Sequence, residues 1–425
     1  MTDTIFACSS GMPPAAIAVI RISGPQAGAA LMALGGRLPV ERRASLMVLR
    51  DGAGTELDRA LVLWFPGMRT ATGEDLAEIH CHGGRAVIAA LEHALAALPG
   101  LRRAEAGEFT RRAFLNGRMD LAEAEGLGDL LSAETEMQRQ AAVAMAGGAL
   151  SVVVKGWRER VLMLSAQVEA VLDFGDEDDV GALPASFAPT LAMFHVELSD
   201  WLSRPRAEAL REGFRVVIAG PPNAGKSTLF NALVEDDAAI ITPLAGTTRD
   251  ILMRPVALGG VPFQFLDTAG LRDDGADVVE SIGIERAREV MARADLVLWL
   301  GPEGEGPQGA WEIESRIDAA VRMAKSAPRH RLSGKTGEGV DALRRDLIDT
   351  ARMAMPKPGQ VALNARQHGL LSEAASALAT IRPDGDLLLT AEDLRAARSA
   401  FDRLLGGAGT EDMLDALFGR FCIGK

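Results

Sequence analysis

The chain has 425 residues, 48% hydrophobic and 24% charged, with a formal net charge of −13 at neutral pH. The length exceeds the roughly 250 to 300 residues at which one hydrophobic core stops growing, and the composition excludes a disordered or fibrous polymer. The acidic balance argues against holding nucleic acid mainly by phosphate neutralisation, and three scattered cysteines, Cys8, Cys81 and Cys422, argue against a disulfide framework.

The opening MTDTIFACSS has no basic stretch followed by a long apolar one, and no later run is long enough to cross a bilayer, so a cytoplasmic protein without membrane contact is expected. Residues 1–116 read as mixed α/β with a net charge of +1. AAIAVIRIS, RALVLWF and DLAEIHC are β-rich runs, and RAVIAALEHALAAL repeats apolar residues at helical spacing. Alternation along a strand puts His80 and His82 on one face and Cys81 on the other, which makes a zinc site there improbable.

Residues 117–212, with a net charge of −9, read as helical. Asp120 with Glu123 has the form of a capping box, the run from Leu121 to Ala146 lacks strand character, and Leu164, Val168, Val171 and Leu172 form one stripe. A further helix is expected between Pro189 and Trp201. At Phe214 the pattern becomes an apolar strand, a Gly-rich loop and a helix, and residues 213–355 read as an α/β nucleotide-binding domain. ILMRPVAL and VPFQFLD, joined by Gly259 and Gly260, predict an antiparallel hairpin at one sheet edge. Residues 360–425 return to helices, with Thr390 and Asp393 as one capping signal and Thr410 as another. The expected fold class is therefore α/β plus all-α, with a helical domain (117–212 and 360–425) interrupted by an inserted domain.

GPPNAGKS, Gly220 to Ser227, fits G-x-x-x-x-G-K-[ST] between an apolar strand and a helix, the context a phosphate-binding loop requires. Backbone N–H groups of Asn223, Ala224 and Gly225, at the N-terminus of a helix carrying Lys226, Ser227 and Thr228, suit a nucleotide's phosphates. Lys226 would reach the β and γ phosphates, and the Ser227 hydroxyl would ligate magnesium. A second magnesium ligand is Thr248, in the loop Thr242, Pro243, Leu244, Ala245, Gly246, Thr247 and Thr248. QFLDTAG ends a strand at Asp267 and continues through Thr268, Ala269 and Gly270. Together these form a GTPase set, in which Lys226 and Thr248 also count as catalytic candidates. Ser333, Gly334 and Lys335 resemble the loop that contacts guanine in Ras-like GTPases. Those proteins read the base with Asn-Lys-x-Asp, for which the best match here is Ser315 to Asp318. Asp318 can pair with guanine, but Ser315 cannot replace a carboxamide, and the tie it makes between base loop and phosphate loop is expected to be lost. Leu271 follows DTAG in place of a water-orienting glutamine, so hydrolysis needs another device.

The carboxy-terminal FCIGK, the opening DTIFA with RISG, GEFTRRAFLNGRMDLAEAEGL and the acidic DFGDED resemble the MnmE (TrmE) family of bacterial GTPases of tRNA wobble-uridine modification over essentially the whole chain. The resemblance implies a Ras-like G domain inserted in a helical domain, behind an amino-terminal folate-binding-like and dimerising domain. It implies that potassium replaces an arginine finger, held by Asn223 with Thr242, Leu244 and Thr247, and that Glu280 orients water. It further implies a 5-formyl- or methylene-tetrahydrofolate cofactor at Arg21, Glu78, Arg118 and Lys425. Cys422 is either a packed small side chain or a thiol directed at that cofactor. The implied partners are an FAD protein resembling MnmG (GidA), tRNA held mostly through that partner, and a second copy of the chain. The rival expectation is an Era-like RNA-binding switch in ribosome assembly, without modification chemistry.

Overall fold

The computed structural model describes residues 3–174, 182–234, 253–267, 291, 293–320, 322–357, 359–382, 384–407, 411–419 and 421–424. The chain divides into two compact units. One comprises Met1–Gly128, Ser151–Arg158 and Phe401–Lys425, the other Asp129–Leu150 and Glu159–Ala400.

The first unit is built on a six-stranded sheet of β1 (Thr4–Cys8), β2 (Ile17–Ser23), β3 (Ser45–Arg50), β4 (Glu56–Phe65), β5 (Leu76–His82) and β6 (Leu101–Arg103), in the order β3-β4-β5-β2-β1-β6. Only the β1–β6 pair among them is parallel. Strand alternation sends Ala18, Ile20 and Ile22 of β2 and Ala77, Ile79 and Cys81 of β5 into one core with Leu31, Leu34, Ile88 and Leu91 of the helices Ala27–Gly35 and Arg85–Ala96. The opposite face therefore carries Arg21, Glu78 and His80. Asp120 and Glu123 form the expected reciprocal cap: Glu123 N–H donates to Asp120 Oδ1 at 3.1 Å and Asp120 N–H to Glu123 Oε2 at 2.7 Å.

In the second unit a six-stranded sheet runs β12-β11-β10-β7-β9-β8, from β7 (Phe214–Ala219), β8 (Met253–Leu258), β9 (Val261–Asp267), β10 (Leu296–Trp299), β11 (Trp311–Glu314) and β12 (His330–Arg331). All pairs are parallel except the edge hairpin, where Leu258 faces Val261. Gly259 and Gly260 turn that hairpin with φ of 54° and 77°, the pair of positive values a two-residue turn of this hand demands. Apart from Arg215 at its start, β7 is apolar on both faces because both are covered: Phe214, Val216 and Ile218 join one core with Leu229 and Leu343, while Val217 and Ala219 join another with Leu266 and Val297.

Helical expectations hold with shifted limits. The run 121–146 is two helices, Leu121–Ser132 and Glu136–Ala146, the second opened by a capping box of Thr135 and Gln138. The later helices span Ala149–Phe174 and Phe187–Ser203. Leu164, Val168 and Val171 are buried, but Leu172 lies off the stripe and is exposed. Thr390 is not a cap. The helix Leu387–Leu405 starts earlier, where Asp386 Oδ1 accepts from Leu388 N–H at 2.8 Å, and the Thr390 hydroxyl donates back to Asp386 O at 3.1 Å. Thr410 lies outside the described residues. Among the described residues no helix is long and apolar enough to cross a membrane.

Candidate nucleotide site

Four segments singled out in the sequence follow the carboxyl ends of parallel strands of the second sheet. GPPNAGKS follows β7, Asp267 ends β9, Ser315 to Asp318 follow β11, and Ser333 to Lys335 follow β12 by one residue. In open parallel sheets this edge is where ligands bind. Register brings the first two side by side, since Ile218 pairs with Asp267.

The loop after β7 curls through Gly220, Asn223 and Gly225, with φ of 148°, 60° and 94°, into the helix Lys226–Val234. Lys226 is buried, and its Nζ donates to Gly220 O and Pro221 O, both at 2.9 Å, which sets the ammonium inside the curve of the loop. Ser227 and Thr228 are exposed in the first helical turn.

Ser333 organises the other half of the site. Fully buried, its hydroxyl donates to Asp318 Oδ1 at 2.6 Å and accepts from the backbone N–H groups of Lys335 and Thr336 at 3.3 and 3.2 Å. That hydroxyl, before any charge, holds the exposed Asp318 carboxyl below its ordinary value. Gly334 lies so close to the helix Lys226–Val234 that a Cβ there would sit 3.0 Å from Thr228 O and Leu229 N, which packs this loop against the first turns of that helix. Glu314, at the end of β11, is buried. Burial opposes its charge, yet Arg322 and Arg331, each at 3.0 Å, keep its carboxyl below the ordinary range and fix the strand end from which Ser315 departs.

The expectation of a lost tie at Ser315 is corrected by the geometry. Ser315 Oγ donates to Ala224 O at 2.6 Å, and Arg316 Nη1 donates to Asn223 O at 2.9 Å, so base loop and phosphate loop remain joined without a carboxamide. A hydroxyl is shorter than a carboxamide but suffices because Gly225 lets the loops approach: its Cβ position lies 3.3 Å from Arg316 Cγ. The sequence signalled neither bond, because both depend on the spacing of two loops far apart in the chain. Thr242, Pro243, Leu244, Ala245, Gly246, Thr247, Thr248, Thr268, Ala269, Gly270, Glu280 and Lys425 lie outside the described residues, as does the side chain of Asp267.

In the first unit Arg21 and Glu78 are cross-strand partners, and Arg21 Nε and Nη2 both reach Glu78 Oε1, at 3.2 and 2.9 Å. Glu78 Oε2 lies 3.4 Å from His80 Nε2, and the Arg21 guanidinium sits 5.8 Å from the centre of the Phe109 ring. Arg118 is exposed against Gly73 in the loop before β5, and no described contact joins it to Arg21 or Glu78. Of the two readings of Cys422, packing is set aside, since the residue is exposed. Its backbone is nonetheless held: Cys422 O accepts from Gly107 N–H at 3.5 Å, Ile423 bridges Ala106, and a Cβ on Gly424 would meet Cys8 O at 2.2 Å. Among the described residues no cluster of three His, Cys, Asp or Glu side chains is arranged to hold a metal.

Comparison with known proteins covers the whole chain. Residues 4–118 match the family described as the GTP-binding protein TrmE N-terminus, and residues 121–422 match the MnmE helical domain. A protein of Erythrobacter litoralis named tRNA modification GTPase MnmE is 67% identical over 423 residues, all of both chains. The chain belongs to the MnmE family. Proteins of the same name from Novosphingobium aromaticivorans and Rhizorhabdus wittichii are 62% and 56% identical, covering all of this chain and 100% and 97% of theirs. MnmE membership thus covers the sheet of the first unit and the phosphate loop of the second alike.

Proposed function

We propose that this chain is the GTP-hydrolysing component of the machinery that adds a carboxymethylaminomethyl or aminomethyl group to carbon 5 of the tRNA wobble uridine. The observation that carries the GTPase reading is the convergence at one sheet edge of Lys226 in its curled loop, the end of β9, and Asp318 gripped by Ser333. Membership of a family whose members are named tRNA modification GTPases carries the rest.

Each residue's part follows from its chemistry. Backbone N–H groups of Asn223 and of Gly225 to Thr228 bind phosphate oxygens, Ala224 N–H being turned back on Pro221 O at 3.4 Å, and Lys226 neutralises them. Asp318 accepts from the two donors on the guanine edge, a match adenine lacks. Bound magnesium and potassium supply positive charge against that developing on the transferred phosphoryl group. Ser227 and Thr248 would hold the first; Asn223, Thr242, Leu244 and Thr247 the second. The fit at Asn223 is good: its carbonyl is occupied by Arg316 while the side chain is exposed, leaving a carboxamide oxygen for a hard cation. Glu280 would orient the attacking water in place of a glutamine at Leu271.

Arg21 and Glu78 offer a half-buried acid–base pair beside an aromatic ring, a donor and acceptor set that suits a reduced folate, with Arg118 and Lys425 as further contacts and Cys422 as an exposed thiol. In the domain reading, residues 1–116 form the folate and dimerisation domain, 117–212 with 360–425 the helical domain, and 213–355 the inserted G domain. Redox chemistry belongs to an FAD partner resembling MnmG, which also provides most of the grip on tRNA, consistent with the acidic charge. The working form is a cytoplasmic homodimer.

The test is mass analysis of wobble nucleosides in a deletion strain carrying the wild-type chain or Lys226→Ala. Loss of the modified uridine with the variant is expected. Full modification with the variant would set the reading aside.

A further inference from the structure

Arg21 and Glu78 hold each other across two strands, whereas Arg118 lies in the turn after the helix Glu108–Leu115 and its guanidinium has no described partner. A ligand that touches all three needs that turn held at a fixed distance from the sheet. Thr72, between β4 and β5, is placed to do this. It is 1% exposed; its hydroxyl lies 2.7 Å from Ser23 Oγ, and its carbonyl accepts from Asn116 Nδ2 at 2.7 Å. Ser23 follows Arg21 by two residues on β2, hence on the same face, and Asn116 precedes Arg118 by two in the turn. One buried residue thus joins the strand of Arg21 to the turn of Arg118.

The direction of the Thr72 bond follows from its neighbours. Ser23 has a single hydroxyl proton, which goes to Glu74 Oε2 at 2.9 Å, a carboxylate also held by Arg112 Nη1 at 3.1 Å. The Thr72 hydroxyl is therefore the donor to Ser23. Gly73 completes the hold. At φ 75° it occupies the left-handed region that favours glycine, and a Cβ there would sit 2.7 Å from Asn116 Cβ and 3.1 Å from Arg118 Cγ. The aliphatic stem of Arg118 therefore lies across the bare backbone of Gly73, and Arg118 N–H closes the turn on Ala113 O at 2.8 Å. The stem is fixed while the guanidinium stays exposed for an anion or a carbonyl.

We infer that Thr72, Gly73 and Asn116 are positioning residues for the folate-type ligand: they hold the Arg118 stem at a set place relative to the Arg21–Glu78 pair. None of the three needs to touch the ligand. Without the bond between Thr72 and Asn116 the turn is free to drift from the sheet, and binding must first order it, at a cost in affinity. The same bonds would be architectural alone if Arg118 took no part in binding, and that difference is measurable. The inference rests on the reading of Arg21, Glu78 and Arg118 as ligand contacts.

The experiment measures 5-formyltetrahydrofolate affinity of the full chain by titration calorimetry, with thermal unfolding as a check on folding. The proteins are the wild type, Thr72→Val, Thr72→Ser, Asn116→Ala, Arg118→Ala, Arg21→Ala and the double variant of Asn116→Ala with Arg118→Ala. Thr72→Val and Asn116→Ala are each expected to weaken the ligand about tenfold, the loss of one well-placed hydrogen bond. Thr72→Ser, which keeps the hydroxyl, should stay within about twofold of the wild type. In the Arg118→Ala background, Asn116→Ala should change affinity by less than about twofold, because its effect passes through Arg118. Asn116 is exposed, so its variant decides the matter even where Thr72→Val fails to fold. Wild-type affinity in Asn116→Ala overturns the inference, and so does a loss that persists undiminished without the Arg118 side chain, which marks a structural role. Wild-type affinity in Arg118→Ala, with Arg21→Ala weakened, removes Arg118 as a contact and the inference with it, while the reading of Arg21 and Glu78 stands. If the wild type does not bind, the folate reading falls and the inference with it.

Discussion

Arg21 and Glu78 are bound to each other before any ligand arrives: they face one another across β2 and β5, with Arg21 Nη2 2.9 Å from Glu78 Oε1. A folate-type ligand at this place inserts into an existing pair, so each residue matters both for the ligand and for holding the other in position. Arg21→Ala and Glu78→Ala should each weaken tetrahydrofolate binding about tenfold or more, since a half-buried charge loses its partner. Basal GTP hydrolysis should stay intact, because Lys226 and Asp318 follow strands of the other sheet. Calorimetry showing wild-type folate affinity in both variants would remove the assignment.

Potassium should accelerate hydrolysis relative to sodium if Asn223 holds the ion as proposed, because Leu271 cannot orient water. The measurement is turnover in the two salts at matched ionic strength, with Asn223→Ala expected to abolish the difference. Equal rates for the wild type would refute the potassium role.

Guanine should be preferred over adenine through Asp318, and Asp318→Asn should shift part of that preference toward xanthine, whose ring carbonyl needs a donor there. The pH dependence has a definite sign. The Ser333 hydroxyl holds the Asp318 carboxyl below its ordinary 3.8, so the carboxylate stays charged, and GTP preferred, as pH falls from 7 to 5 and beyond. Ser333→Ala should move the acid loss of nucleotide affinity to higher pH. Identical acid limbs in variant and wild type would show that the Ser333 hydroxyl does not set the ionisation on which nucleotide affinity depends.

Arg112 is fully buried among Asp3, Glu74 and Glu108, at 3.0, 3.1 and 3.1 Å. Arg112→Met should destabilise the first unit by about 3 kcal/mol, because the buried Glu108 and the partly exposed Glu74 and Asp3 lose a shared partner. Against the cost of burial, Arg102 above all keeps Glu108 below its ordinary value, and Arg102 with Arg112 does the same for Asp3. Their contribution is present above the unfolded carboxylate range and is lost as pH falls through the lowered folded values. Denaturant melts of the variant with no loss in midpoint would contradict this.

Cys422 should react with thiol reagents long before Cys81. Cys81 is buried in the sheet, where desolvation pushes its thiol up to about 11, whereas Cys422 is exposed. Timed alkylation followed by peptide mass analysis gives the order, and labelling of Cys81 first would mean that β5 opens readily.

Local patterns were legible wherever one short stretch dictates its own geometry. The spacing of GPPNAGKS between an apolar strand and a helix, the paired glycines of the β8–β9 hairpin, and Asp120 with Glu123 each name their conformation through backbone constraints acting over a few residues. The family resemblance was likewise written in short runs such as FCIGK. Thr390 shows the limit: a cap is chosen by where the helix begins, and Asp386 four residues earlier takes the role. What tertiary structure alone decided is which distant groups meet. Ser315 looks too short to replace asparagine when read in sequence, yet it reaches Ala224, 91 positions away, because the ends of β7 and β11 lie at one edge and Gly225 permits contact. The mutual pairing of Arg21 with Glu78 was equally hidden, since cross-strand register, set by burying Ala18, Ile20 and Ile22 against the helices, is a property of the packed sheet rather than of either strand.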